Sequence, residues 1–120
     1  MSGYKLFIDD MRPIPNGWLG ARTVSESITV LAQLDVSEVS LDHDIVSPLT
    51  PPLYGYQPLM NETFKGVAWY IAALPIEKRP KRIRIHTSNS GAAMTMCEIM
   101  GLDFKTTYKR FDPKDYLNGL

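Results

Sequence analysis

Three short segments of this chain, residues 4–8, 38–41 and 82–85, each end in an aliphatic residue that is followed by polar side chains. The three polar clusters are Asp9 and Asp10; Asp42, His43 and Asp44; and His86, Thr87, Ser88 and Asn89. Carboxylates that lie close together repel one another, and a divalent cation removes that repulsion. Carboxylate oxygens with water suit Mg²⁺ or Mn²⁺, and two histidines make Mn²⁺ or Zn²⁺ suitable as well. These residue types indicate a metal site able to hold a phosphoryl group.

The third cluster has a second feature, because it forms a turn from an apolar segment into a helix. A helix N-terminus presents free backbone N–H groups to an anion, and Gly91 would let the backbone approach closely. We therefore expect Thr87, Ser88 and Asn89 to bind phosphate oxygens. Arg12 is a candidate for a further cationic contact with the phosphate.

Strands and helices alternate between these clusters and must position them. The predicted strands cover residues 4–8, 21–24, 38–41, 82–85 and 104–111. The predicted helices begin after Thr23, at Asn61 and at Ser90. Residues 11–20 contain two prolines and two glycines, which predicts a loop where a first crossover helix would otherwise lie.

The faces of the three helices follow from their apolar spacing. The predicted inward residues are Ile28, Leu31 and Ala32; Phe64, Val67, Ile71 and Leu74; and Ala92, Met96, Ile99 and Met100. Thr23 and Glu26 have the spacing of a capping box, and Gly101 is a suitable C-terminal stop for the last helix.

The order strand, helix, strand predicts an α/β fold with a mostly parallel sheet of four or five strands. Ligands of such sheets bind outside the carboxyl ends of the strands. A single aspartate there is commonly a turn former, and His86 alone would more often be a hydrogen-bonded interior histidine. Because all three clusters lie at the same end of their strands, we favour a functional site over these separate structural roles.

A long loop is predicted between the second cluster and the second helix, over residues 47–60. It contains four prolines together with Tyr54 and Tyr56. Long loops are commonly either functional or disordered. We therefore keep two interpretations open, a lid whose tyrosines stack on a base and a solvated insertion.

Length and composition restrict the class of protein. The 120 residues predict one domain over residues 1–120, and 13 basic residues balance 13 acidic ones. The chain therefore has no bulk field for duplex nucleic acid or an anionic membrane, and its partner is expected to be a small phosphorylated ligand. The single Cys97 and the absence of a signal-peptide pattern predict a cytoplasmic protein.

The acid pair, the strand-end aspartate and the strand-end hydroxyls resemble the pattern of response-regulator receiver domains. In more detail, FIDDMRPIPNGW, ART, VSLDHDI and IHTSNSGA are similar to the cyclic-phosphate-processing receiver domains, over roughly Lys5 to Gly101. This resemblance implies a three-layer, receiver-like (flavodoxin-like) fold in which a Pro-rich loop replaces the first crossover helix. It also implies an activity on cyclic phosphate ends of RNA or on nucleotides.

The resulting hypothesis is a metal-dependent phosphoesterase, a hydrolase. Its predicted metal ligands are Asp9, Asp10, Asp42 and Asp44, and its predicted catalytic residues are Asp42, His43 and His86. The metal would be Mg²⁺ or Mn²⁺, with Asp42 either a ligand or a nucleophile. The alternative is a non-catalytic module that accepts a phosphoryl group on Asp42 or sequesters a nucleotide signal.

Overall fold

Four parallel strands form the sheet of this protein, in a computed structural model that describes residues 3–42, 63–87 and 89–109. The strands are β1 (Tyr4–Ile8), β2 (Leu19–Ala21), β3 (Val36–Leu41) and β4 (Arg82–Ile85). Their order across the sheet is β2-β1-β3-β4, with every neighbouring pair parallel. This order corresponds to the flavodoxin-like arrangement and confirms the predicted receiver-like α/β fold.

Helices connect the strands and follow the predicted capping signals. They are α1 (Val24–Gln33), α2 (Lys65–Ala73), α3 (Ser90–Met100) and α4 (Phe104–Thr107), with a 3₁₀ helix at Ile76–Lys78. The Thr23 side chain accepts a hydrogen bond from the Glu26 N–H at 3.0 Å, which confirms the predicted N-cap of α1. Gly101 ends α3 in the left-handed conformation, with φ of 69°.

The hydrophobic core lies between one face of the sheet and helices α1 to α3. Alternate residues of the central strands supply the sheet side of this core, among them Leu6, Ile8, Val39, Leu41 and Ile85. Helix α2 adds Phe64, Val67, Ala68 and Ile71, and helix α3 adds Ala93, Met96, Cys97 and Met100. Because neighbouring residues of a strand point to opposite faces, the residues between these belong to the other side of the sheet.

A loop covers part of that other face. Residues 9–18 join β1 to β2 without a helix, as predicted from their prolines and glycines. Trp18 from this loop contacts Phe7 of β1 edge to face, with ring centroids 6.3 Å apart. Lys5 places its ammonium 5.7 Å from the centroid of the Trp18 ring. The loop therefore contributes the layer opposite the helices in this part of the protein.

Two predicted helix faces need correction. In α1 the fully buried residue is Ser27, whereas Ala32 is exposed. A serine is tolerated there because its hydroxyl donates to the Thr23 carbonyl at 2.7 Å. In α3 the buried residues include Ala93 and Cys97 where Ala92 and Ile99 were expected.

The predicted last strand over residues 104–111 is also wrong at its start. Asp103 accepts a hydrogen bond from the Thr106 N–H and caps α4, which occupies the first four of these positions. Among residues 104–109, the described part of this segment, Tyr108 pairs with the sheet through a parallel bridge to Ile85.

Several sequence predictions lie outside the described residues, namely the loop over residues 47–60, the helix start at Asn61 and the tail from residue 110 onward. No helix in the described ranges is long and apolar enough to cross a membrane.

Candidate functional site

The register of the sheet places three predicted site residues side by side. Ile8 pairs with Leu41 and Leu41 pairs with Ile85, so Asp9, Asp42 and His86 follow at one level. The backbone pairing continues through this level, because Asp42 N–H donates to the Ile8 carbonyl and His86 N–H donates to the Leu41 carbonyl, both at 2.9 Å. All three residues are buried at the carboxyl ends of their strands.

Asp9 is the most heavily bonded of the three. Its Oδ1 accepts hydrogen bonds from the backbone N–H groups of Met11 and Arg12, each at 2.9 Å. Its Oδ2 accepts from the Arg12 guanidinium at 2.8 Å and is 2.9 Å from His86 Nε2. The Asp9 side chain therefore fixes the start of the loop and joins the loop to β4.

These contacts set the ionisation of Asp9. Burial alone would raise the pKa of the Asp9 carboxyl. The hydrogen bond with His86, those from the backbone N–H groups of Arg12 and Met11, and that from the Arg12 side chain outweigh burial and hold the pKa well below its usual range. Asp9 is consequently ionised at neutral pH.

Arg12 lies between the two carboxylates. Its Nη1 is 2.8 Å from Asp9 Oδ2 and 3.4 Å from Asp42 Oδ2. The guanidinium therefore compensates the negative charge that the strand ends bring together. Arg12 was predicted as a phosphate contact, and the structure places it within this carboxylate group.

The Arg22 side chain forms hydrogen bonds with the backbone of this loop. Its guanidinium donates to the Asp9 carbonyl at 3.0 Å and to the Arg12 carbonyl at 2.6 Å. Arg22 therefore fixes the backbone positions of Asp9 and Arg12.

The ring of His86 is held on three sides. One face stacks on Phe7, with centroids 4.6 Å apart and planes 8° from parallel. Nδ1 is 2.8 Å from Ser40 Oγ, and Nε2 faces Asp9. The imidazole is thus oriented with one nitrogen toward the interior of the sheet and the other toward the carboxylates.

The donor set of this site fits a divalent metal. Asp9, Asp42 and His86 each offer one ligand atom, and these atoms lie within 4.8 Å of one another. Two oxygens and an imidazole nitrogen suit Mn²⁺ or Zn²⁺, and Mg²⁺ if water completes the shell. Asp10 adjoins Asp9 and is half-buried, but it is not part of this group of three.

The turn after β4 uses its polar side chains to begin α3. Thr87 is buried, and its Oγ1 accepts from the Asn89 N–H at 3.2 Å. Asn89 Oδ1 accepts from the Ala92 N–H at 3.1 Å, so Asn89 is the N-cap. His43, Asp44 and Ser88, also predicted as site residues, lie outside the described residues.

Sequence reasoning missed Ser40 and Phe7, the residues that hold His86. Both lie inside apolar strands, where a small polar or aromatic residue commonly has only a packing role. The sequence nevertheless contained a signal for Ser40. It precedes Asp42 by two positions, so its side chain lies on the same face of the sheet as that of Asp42.

The site combines a parallel sheet in the order β2-β1-β3-β4 with aspartates at the ends of β1 and β3 and a histidine at the end of β4. A sequence profile described as the cyclic-phosphate processing receiver domain matches residues 4–101, which contain this entire arrangement. The chain belongs to this family. No curated protein and no solved structure matches the sequence of this chain.

Membership in the cyclic-phosphate processing receiver domains confirms the resemblance seen in the sequence motifs. The family name associates the domain with the processing of cyclic phosphates. The matched residues end at Gly101, so the family pattern covers all four strands and helices α1 to α3.

Proposed function

We propose that this receiver domain is a metal-dependent phosphoesterase that hydrolyses a cyclic phosphate on a nucleotide or an RNA end. The observation that carries the proposal is the group of three buried side chains, the carboxylates of Asp9 and Asp42 and the imidazole of His86, at one level of the sheet. Arg12 lies between two of them, and this contact of a cation with both carboxylates supports a site for positive charge.

The residues divide into three roles. Asp9 and Asp42 hold the metal, with Asp10 and Asp44 as further predicted ligands. When bound, Mg²⁺ or Mn²⁺ supplies electrostatic stabilisation of the phosphoryl oxygens. Arg12, whose guanidinium lies beside both carboxylates, would contact a phosphoryl oxygen of the substrate.

The remaining roles concern protons and phosphate binding. His43 and His86 supply the general acid and base, the roles for which histidine is the side chain most often used. The phosphate oxygens bind at the turn of Thr87, Ser88 and Asn89, close to the first N–H groups of α3. The ligand is a small phosphorylated molecule, since the balanced charge of the chain offers no extended surface field.

A screen of metals against substrates tests this proposal. The protein is incubated with Mg²⁺, Mn²⁺ or Zn²⁺ and with 2′,3′-cyclic nucleotides, 3′,5′-cyclic nucleotides, RNA cyclic-phosphate ends or phosphomonoesters. Turnover that requires a metal and is lost in Asp42→Asn supports the phosphoesterase. A stable acyl phosphate on Asp42, or tight nucleotide binding without turnover, would instead support the non-catalytic receiver module.

Metal binding is also expected to stabilise the fold. An ion that binds only the folded protein at 100 times its Kd adds about 2.7 kcal/mol to the free energy of unfolding. For a domain of this size that corresponds to a rise in Tm on the order of 10 °C. Thermal melts across millimolar Mg²⁺ and Mn²⁺ measure it.

The matched variants for these melts are Asp42→Asn and Glu98→Gln. Each removes one negative charge, but Glu98 is exposed on α3, away from the strand ends. The metal-induced rise should vanish in Asp42→Asn and persist in Glu98→Gln. Equal melting curves with and without metal in the unmodified protein would exclude the metal site.

A further inference from the structure

Ser40 is a buried polar residue that none of the roles above explains. It lies in β3 and is fully buried, and its Oγ is 2.8 Å from His86 Nδ1. An ordinary position inside an apolar strand would carry an aliphatic side chain, since a hydroxyl without a partner is costly to bury. The hydrogen bond with His86 therefore explains why a serine is tolerated at this buried position of β3.

The other side of the ring fixes where the imidazole carries its hydrogen. Asp9 Oδ2 is 2.9 Å from His86 Nε2, and an ionised carboxylate can only accept hydrogen bonds. Asp9 already accepts N–H groups at both oxygens, from the backbone of Met11 and Arg12 at Oδ1 and from the Arg12 guanidinium at Oδ2, so Nε2 is the donor in this contact and carries the ring hydrogen.

The direction of the Ser40 hydrogen bond follows from the donors and acceptors available at Oγ and Nδ1. In the described part of the chain, Ser40 Oγ has no hydrogen-bond partner other than Nδ1. Donation of the hydroxyl hydrogen to an unprotonated Nδ1 satisfies both groups. If Nδ1 carried a hydrogen, it would point at Oγ, and the buried hydroxyl hydrogen would have no acceptor.

We propose that Ser40 is a positioning residue that donates to Nδ1 of His86 and thereby keeps the ring hydrogen on Nε2, directed into the site. This inference rests on the proposed function for its catalytic consequence. The hydroxyl prevents in-plane rotation of the ring, and the stacked Phe7 prevents the ring from tilting. His86 thus presents a fixed N–H donor at the level of Asp9 and Asp42.

Nitrogen-15 NMR of the imidazole rings tests the hydrogen bond without any substrate. The chain has two histidines, so a His43→Gln variant assigns both sets of signals. Spectra of the metal-free protein at about pH 8, above the ordinary imidazole range, should show a protonated Nε2 and an unprotonated Nδ1 for His86. In Ser40→Ala the Nδ1 signal should move toward that of an imidazole nitrogen without a donor.

Ser27→Ala is the matched control. Ser27 is also fully buried and also donates one side-chain hydrogen bond, but it lies in α1 and donates to the carbonyl of the N-cap Thr23. It should leave the His86 signals unchanged, and Ser40→Thr, which restores a hydroxyl, should return the Nδ1 signal. A hydrogen on Nδ1 in the unmodified protein, or an Nδ1 signal that Ser40→Ala does not move, would overturn the proposal.

A kinetic arm separates this inference from the proposed function. With 2′,3′-cyclic AMP and Mn²⁺ as probe, Ser40→Ala should lower kcat by about 10- to 100-fold and leave KM within about twofold, because the group it misplaces acts on the reacting atoms. If His86→Ala loses turnover while Ser40→Ala keeps full kcat, the positioning role of Ser40 is rejected and the proposed function is retained. If the unmodified protein turns over none of the cyclic phosphates, the proposed function fails, and the NMR result still decides the hydrogen bond.

Discussion

Replacing His86 with alanine is expected to lower turnover of a cyclic phosphate by about 10²- to 10⁴-fold, the usual loss when a general acid or base is removed. His86 is the imidazole that faces both Asp9 and the level of Asp42 in the described residues. The measurement is kcat for the substrate found in the metal screen, normalised to folded protein.

The competing view is that His86 only stabilises the sheet, through its stack on Phe7 and its two hydrogen bonds. A control for stability is Ile71→Val, a core change in α2 that typically costs about 0.5–1.5 kcal/mol and lies away from the site. Both variants should melt at lower temperature, but only His86→Ala should lose activity per folded molecule. Full activity in folded His86→Ala protein would remove His86 from the mechanism.

Asp9→Asn is expected to have the largest effect on stability, a loss of about 3 kcal/mol in the free energy of unfolding at neutral pH. The amide keeps an oxygen for the backbone N–H groups of Met11 and Arg12, but it replaces Oδ2 with a group that donates. That donor would face the Arg12 guanidinium and the His86 N–H, both of which also donate. Urea denaturation at neutral pH measures the loss.

The pH dependence of this difference has a definite sign. The pKa of Asp9 is lower in the folded protein than in the unfolded chain, so its contribution is fully present above the ordinary aspartate pKa of about 3.9. It is lost as the pH falls below that value toward the folded-state pKa. The gap between the unmodified protein and Asp9→Asn should therefore narrow as the pH falls below about 4.

The exposed variant Glu98→Gln serves as the control for these titrations, since it removes a carboxylate from the surface of α3. Its denaturation curves should parallel those of the unmodified protein. A gap for Asp9→Asn that stays the same down to pH 3 would mean that the ionised carboxylate of Asp9 does not stabilise the fold.

The sequence predicted the strands that end in the site, and physical reasons explain why. β1 is a short, largely apolar run that stops at Asp9, as buried parallel strands often are. β4 alternates arginine with isoleucine and stops at His86, which is a strand pattern of period two. Once the strands are parallel, the convergence of their ends follows from topology. The capping box at Thr23 and the stop at Gly101 are local signals, and the structure has both.

Other features depend on tertiary contacts that no local pattern contains. Asn89 caps α3 because its Oδ1 reaches the Ala92 N–H, whereas the sequence of this turn contains several polar side chains of types that can cap a helix. Residues 104–107 have a strand-like composition but form a helix capped by Asp103. Likewise, the pairing of Ser40 with His86 joins residues 46 positions apart in the chain, and neither residue indicates the other.

The loop that replaces the first crossover helix has a further consequence for the edge of the sheet. Parallel neighbours usually need a connection of a dozen or more residues, and here residues 9–18 suffice. This loop leads directly into the short edge strand β2. The side chains of Asp9 and Arg22 form hydrogen bonds with the loop backbone, and Trp18 at its end packs against Phe7 of β1. Local opening of the site and detachment of β2 are therefore expected to be one cooperative event.

That coupling links the chemistry of the site to self-association. When β2 detaches, the backbone N–H and C=O groups on that side of β1 lose their partners, and an apolar strand with a free edge can pair with another chain. Changes at Asp9 would then favour aggregation as well as inactivity, and a ligand that closes the site would keep the protein monomeric by holding its edge strand in place.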